Sequence, residues 1–209
     1  MAELRAGGAP DTLSIEFAEL DLESTQSVDA FVAWLIAEHG TVEVLVNNAG
    51  VDFGQYYPEG DSRNEGGRSH ADGGAPTMRT NFTQTALLTD TLLRSAMNTE
   101  DGRIVFVASE AGTYGFAAQP RDVQERVETA SREELDALAA EWVKATQEEE
   151  LQPPTFGTSA GINGYPYAVS KMLLIRYSAL TTAFSRAAAR SVAIELTEPC
   201  SCTRFKSCR

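Results

Sequence analysis

Two short apolar runs, residues 42–46 and 104–107, constrain the fold more than anything else in this chain. Each is nearly continuous in aliphatic residues, the pattern of a strand covered on both faces rather than one. Segments of helical period stand between and around them. Short buried strands that alternate with helices pack into a mainly parallel sheet flanked by helices, so the expected fold class is α/β.

The remaining segments fit that frame. Leu13, Ile15 and Phe17 alternate with Ser14 and Glu16, which predicts a strand with one covered face over residues 13–20. Val28, Phe31, Val32, Leu35 and Ile36 recur at helical spacing and end at His39-Gly40, a helix followed by its stop. Residues 52–76, rich in Gly, Asp and Arg, read as a long exposed loop. A helix carrying Ala86, Leu87, Leu92 and Leu93 follows, and Asp101-Gly102 turns the chain into the second apolar run. Ser131 and Glu134 have capping-box spacing ahead of a stripe of Leu135, Leu138, Ala139, Trp142 and Val143. A long helix is expected from Tyr167 to about Arg190, and a last strand over residues 192–196. With 209 residues and no internal repeat, a single domain over 1–209 is expected.

Charge and cysteine usage narrow the function. A net charge of −13 argues against nucleic acid or an anionic membrane as partner, since both require a basic surface. No apolar run has membrane-spanning length, and residues 1–10 lack a signal-peptide core. Cys200, Cys202 and Cys208 all lie near the end of the chain with no His beside them, which fits neither a disulfide framework nor a usual zinc pattern. The expectation is a cytoplasmic protein with no metal.

The chemistry concentrates in Tyr167-Ala-Val-Ser-Lys171. On a helix, side chains four residues apart leave the same face. A free phenol is a poor acid or base at neutral pH, and a fixed ammonium beside it favours the phenolate, so the pair is a sensible acid/base device. The same spacing also arises as a half-buried ring beside a solvated amine. Ser109 stands where a buried parallel strand runs out, the place where open α/β sheets bind ligands; it could donate to a carbonyl oxygen or simply cap the next turn. Asn47-Asn48-Ala49-Gly50 ends the other apolar strand and could admit a flat ligand or form a plain turn. Asn81 stands at a helix start.

Taken in order, Val-Asn-Asn-Ala-Gly50, Thr80-Asn81-Phe82, Gly102-Arg-Ile-Val-Phe-Val-Ala-Ser109 and Tyr167-Ala-Val-Ser-Lys171 resemble the short-chain dehydrogenase/reductase family over about residues 13–196. The resemblance implies a Rossmann-type sheet that binds NAD(H) or NADP(H). It implies Tyr167 as general acid, Lys171 on the nicotinamide ribose and favouring the phenolate, Ser109 on the substrate carbonyl, and Asn81 holding a water of the proton relay. It further implies Asn48, Ala49 and Gly50 on the cofactor floor and Asp21 near the adenine. The long excursion from Ser109 to Tyr167, an insertion of about 113–163 bearing Glu133-Glu134-Leu135, looks like the carbonyl-reductase branch. That branch implies NADPH, small-molecule carbonyl substrates (aldehydes, ketones or quinones), and a monomer, because the inserted helix covers a dimerisation surface.

Two departures shape the expectations. The family's Gly-rich turn after the first strand has no counterpart; Gly7-Gly8 is followed by Ala-Pro. The family's strand order, 3-2-1-4-5-6-7, would put the first βαβ strands between residues 13–20 and 42–46, so the resemblance implies a chain cut back at both ends. Either a gap remains there or residues 13–20 pair with residues 42–46. At the other end, Pro199-Cys200-Ser-Cys-Thr203 replaces the family's Pro-Gly and cofactor-contacting Thr. The alternative function is a non-catalytic paralogue that binds no dinucleotide and acts as an interaction module.

Overall fold

Three parallel strands form the sheet of the computed structural model, which describes residues 14–53, 70–148, 161–187 and 193–197. Strands β1 (Val44–Asn47), β2 (Arg103–Val107) and β3 (Ala193–Thr197) lie in that order. Leu45 stands opposite Ile104, and Ile104 opposite Ile194. Central β2 meets that expectation on one face, where Ile104 and Phe106 are fully buried, while Val105 and Val107 on the other face are half-buried.

Strand β1 does not. Val44 and Val46 are 55% and 54% exposed, so the expectation of burial on both faces is corrected for this strand. Among the described strands it is an edge, and one face of an edge strand can remain open to water. The strand expected over residues 13–20 is also corrected: residues 14–20 form no strand, and Phe17 is 95% exposed. Period-2 alternation yields a strand only where a neighbour offers its hydrogen bonds. Here the segment runs beside helix α1 (Thr25–His39), where Glu16 reaches His39 at 3.5 Å. Of the two outcomes expected for residues 13–20, the structure shows the gap.

Helix α1 forms as its spacing predicts. Ser24 caps it by accepting from the Ser27 N–H at 3.3 Å, and Gly40 ends it at φ 76°, a left-handed conformation that favours glycine. Its buried Val28 and Val32 pack with Leu22, Leu88 and Leu92.

The loop expected over residues 52–76 is corrected where the structure describes it, residues 54–69 being outside. Helix α2 (His70–Met78) runs through a π-helical turn (Arg79–Thr83) into helix α3 (Gln84–Ser95). Composition hid α2 because its glycines serve packing: a Cβ on Gly74 would stand 3.3 Å from the Trp142 ring.

Within the insertion, α4 (Glu110–Ala117) and α5 (Arg121–Thr129) precede α6 (Arg132–Glu148). The capping box closes in both directions, Ser131 N–H to Glu134 Oε2 at 2.7 Å and Glu134 N–H to Ser131 Oγ at 3.2 Å. Leu135, Leu138, Ala139 and Trp142 are buried and join Phe82, Phe106, Leu173 and Tyr177 in the main core. Arg132 bonds Asp90 at 3.1 Å and lies over the Phe82 and Tyr177 rings at 5.4 and 5.2 Å. Tyr177 donates to Asp90 Oδ1 at 2.6 Å; burial beside that carboxylate pushes its phenol far above the usual tyrosine range. Helix α7 (Pro166–Ala187) carries this core on one side and the candidate site at its start.

Candidate active site

Helix α7 brings Tyr167 and Lys171 to the carboxyl end of β2. The Lys171 Nζ donates to the Val107 carbonyl at 2.8 Å and stands 5.6 Å from the Tyr167 ring centroid. Lys171 is almost wholly buried, and burial pushes its ammonium down to about 8. Desolvation penalises the charged form of an amine, which is why the shift is downward. Tyr165, two residues before Tyr167, is pushed up by burial and by the Asp52 carboxylate.

Two glycines let α4 press against α7. A Cβ on Gly112 would fall 2.7 Å from the Lys171 carbonyl carbon, and one on Gly115 would be 3.2 Å from the Ala168 carbonyl oxygen. That packing fixes Ser109, the residue capping α4, to the helix that carries Lys171. Ser109 Oγ accepts from the Ala111 N–H at 3.2 Å, so the capping role left open by the sequence is real. A hydroxyl keeps its proton to donate elsewhere while accepting such a bond.

Asn81 is fully buried inside the π-helical turn rather than at a helix start, which corrects the expectation. Its Oδ1 accepts from the Val51 N–H at 2.8 Å, and its Nδ2 donates to the Val51 carbonyl at 2.9 Å and to Ser170 Oγ at 3.0 Å. That clamp holds the loop after β1 in place. Gly50 within it lies against Lys171: a Cβ there would be 3.3 Å from Nζ and 3.5 Å from Asn81 Oδ1.

The structure therefore gathers Gly50, Asn81, Tyr167 and Lys171, with Ser109 tied to them through the strand end and α4. Asn48 and Ala49 are exposed beside this cluster. Asp21 stays outside it, exposed in the turn before α1, with Oδ1 accepting from the Glu23 N–H at 2.8 Å. Sequence reasoning gave Ser170 no role, and it did not foresee that Asn47 of the Asn47–Gly50 run is buried, its Nδ2 donating to Thr89 Oγ1 at 3.0 Å and tying β1 to α3. Polar residues in apolar surroundings were the available signal.

A family model described as short chain dehydrogenase matches residues 3–121. The chain belongs to the short-chain dehydrogenase/reductase family. Among curated proteins, carbonyl reductase (NADPH) 3 of Homo sapiens is 31% identical over 163 residues, covering 77% of this chain and 52% of that protein. Carbonyl reductase (NADPH) 1 of Mus musculus is 32% identical over 137 residues, covering 65% and 46%. These relatives place the chain with the carbonyl-reductase-like members, and it spans about half their length. Among solved structures, menthone neomenthol reductase from Mentha piperita is 21% identical with a TM-score of 0.56, covering 80% of this chain and 65% of that one. Salutaridine reductase from Papaver somniferum is 18% identical with a TM-score of 0.57, covering 80% and 64%. At such identities the likeness establishes the fold, a Rossmann-type α/β arrangement.

How well the described residues of this short-chain dehydrogenase/reductase suit a nicotinamide dinucleotide differs between the two ends of that molecule. The nicotinamide-ribose end fits: the Lys171 ammonium has three donors, one engaged by Val107, and bare Gly50 leaves room beside it. For the diphosphate, the described residues supply no Gly-rich strand–turn–helix. Gly7-Gly8, Pro199 to Thr203 and the cysteines lie outside them. Among the described residues no cluster of His, Cys, Asp and Glu could hold a metal, and no helix is long and apolar enough to cross a membrane.

Proposed function

We propose that the chain is an oxidoreductase that reduces small-molecule carbonyl compounds with NADPH. The observation that carries this reading is the buried Lys171 ammonium, held on Val107 beside the Tyr167 ring. An ammonium beside a phenol stabilises the phenolate left behind when the phenol gives its proton to a substrate oxygen.

A bound reduced nicotinamide would supply the hydride that reaches the carbonyl carbon. As charge builds on the carbonyl oxygen, Tyr167 gives it the phenolic proton and Lys171 stabilises the resulting phenolate. Ser109 would donate a hydrogen bond, not its proton, to the same oxygen while its lone pair caps α4. Lys171 and Tyr167 would hold the nicotinamide ribose, with Asn48, Ala49 and Gly50 forming the floor beside it. Asn81 holds that floor against α7, and by family resemblance its turn also positions the relay water. By the same resemblance, Asp21 would lie near the adenine. The reading takes 1–209 as one domain in the cytoplasm. A monomer is supported by α6, whose Arg132 reaches across to Asp90 of α3 and Tyr177 of α7.

The open face of β1, with Val44 and Val46 exposed, favours a second reading, a folded module that binds no dinucleotide and offers that strand to a partner. Titrating the purified chain with NADPH, followed by fluorescence and by menadione-dependent oxidation, separates the two. Saturable binding with turnover abolished by Tyr167→Phe is expected. A folded chain that ignores NADPH would overturn the reductase reading in favour of the module.

A further inference from the structure

Ser170 lies one residue before Lys171, is fully buried, and makes hydrogen bonds in two directions. Its Oγ–H donates to the Tyr167 carbonyl at 2.8 Å, and its oxygen accepts from Asn81 Nδ2 at 3.0 Å. A hydroxyl has a single proton to give. With that proton spent on Tyr167, the oxygen can face Asn81 only as an acceptor, so the amide must turn its NH2 group toward α7. The carboxamide can then present Oδ1 to the Val51 N–H and its second Nδ2 proton to the Val51 carbonyl, as observed. Each polar atom has one role, and no other orientation of the amide satisfies all of them.

We propose that Ser170 is a positioning residue: by setting the orientation of the Asn81 carboxamide, it locks the loop after β1 and keeps Gly50 in register with Lys171. The inference rests on the reductase reading only for its consequence in turnover; the lock itself is a property of the unliganded chain. Without the Ser170 oxygen, Asn81 Nδ2 loses its partner on α7, and the amide is held by its two bonds to Val51 alone. The loop then loosens over Lys171, water reaches the ammonium, and the depression of its titration is relieved.

The test uses Ser170→Ala, which removes one oxygen and introduces the residue that best favours a helix, so α7 is retained. Hydrogen exchange at the Val51 amide should accelerate roughly tenfold or more relative to the amides of α6, as expected when one bond of a buried clamp is lost. By NMR, the Lys171 ammonium should titrate above its wild-type midpoint, and Ser170→Thr, which keeps the hydroxyl, should restore both signals. Unchanged Val51 exchange and an unchanged Lys171 midpoint in Ser170→Ala would overturn the proposal. So would acceleration spread evenly over Val51 and α6, which would mark a general loss of stability. Wild-type protein supplies a check that requires no variant: both Nδ2 protons of Asn81 should exchange slowly, and fast exchange of either would also overturn it. Failure of the reductase reading shows itself separately, as missing NADPH turnover with the Val51 response intact.

Discussion

Gly50 and Lys171 meet across the rim of the sheet so closely that a methyl group would crowd the ammonium, since a Cβ on Gly50 would stand 3.3 Å from Nζ. Contact that tight makes a neighbour shift by a few tenths of an ångström, and the movable neighbour is an ammonium whose placement matters. Gly50→Ala should therefore fold with a melting temperature close to wild type, because the change faces the end of a flexible side chain. The added methyl removes more water from Nζ, so the Lys171 midpoint should fall further below about 8. NMR titration of the lysine ammonium checks this, and an upward shift would contradict it.

Burial of Lys171 should also be visible in stability against pH. Its folded midpoint, about 8, lies below the unfolded value near 10.4. Below pH 8 the amine is charged in both states and the cost of burying it is fully present. Between about pH 8 and 10.4 the folded chain releases the proton that the unfolded chain keeps, so folding is favoured as pH rises. Relative to Lys171→Met, wild type should gain up to about 3 kcal/mol across that window. Denaturant melts at several pH values measure the difference; parallel curves for the two proteins would refute it.

Ser109 carries two functions that substitution can separate. Ser109→Ala removes the bond to the Ala111 N–H and should cost about 1 kcal/mol, the usual loss for a helix cap. Ser109→Asp restores an accepting oxygen at the cap and should recover that stability. It offers no hydroxyl proton to a carbonyl oxygen, so carbonyl reduction should remain low. Recovery of turnover in the Asp variant would mean that Ser109 serves only as a cap.

The sequence made legible what depends on local period and spacing. The helix of Val28 and Val32, the Ser131–Glu134 box and the faces of Tyr167 and Lys171 all follow from which side chains share a helix turn. It misled where pairing or packing decides. Ile15 and Phe17 alternate as a strand does, yet residues 14–20 pair with no strand among the described residues. Gly74 read as part of a Gly-rich loop and Gly112 drew no reading, whereas each removes a Cβ so that Trp142 or α7 can approach. Ser170 was hidden because its significance lies in Asn81, far along the chain, and no periodicity joins the two.

Strand β1 offers the sharpest contrast between neighbouring residues. Val44 and Val46 point to the open face and are more than half exposed, while Leu45 packs against both core clusters. Side chains alternate strictly along a strand, so the same substitution should have opposite consequences at adjacent positions. Val46→Lys places a charge where water already reaches and guards an edge open to pairing with another chain. Its expected effect is a stability change within about 0.5 kcal/mol and slower aggregation on storage. Leu45→Lys drives an ammonium into the apolar layer between β1, α1 and α3, and should cost more than about 3 kcal/mol or prevent folding. Thermal melts with light scattering distinguish them. If Val46→Lys proved as damaging as Leu45→Lys, the open face would have to be covered in solution by a partner or by further chain.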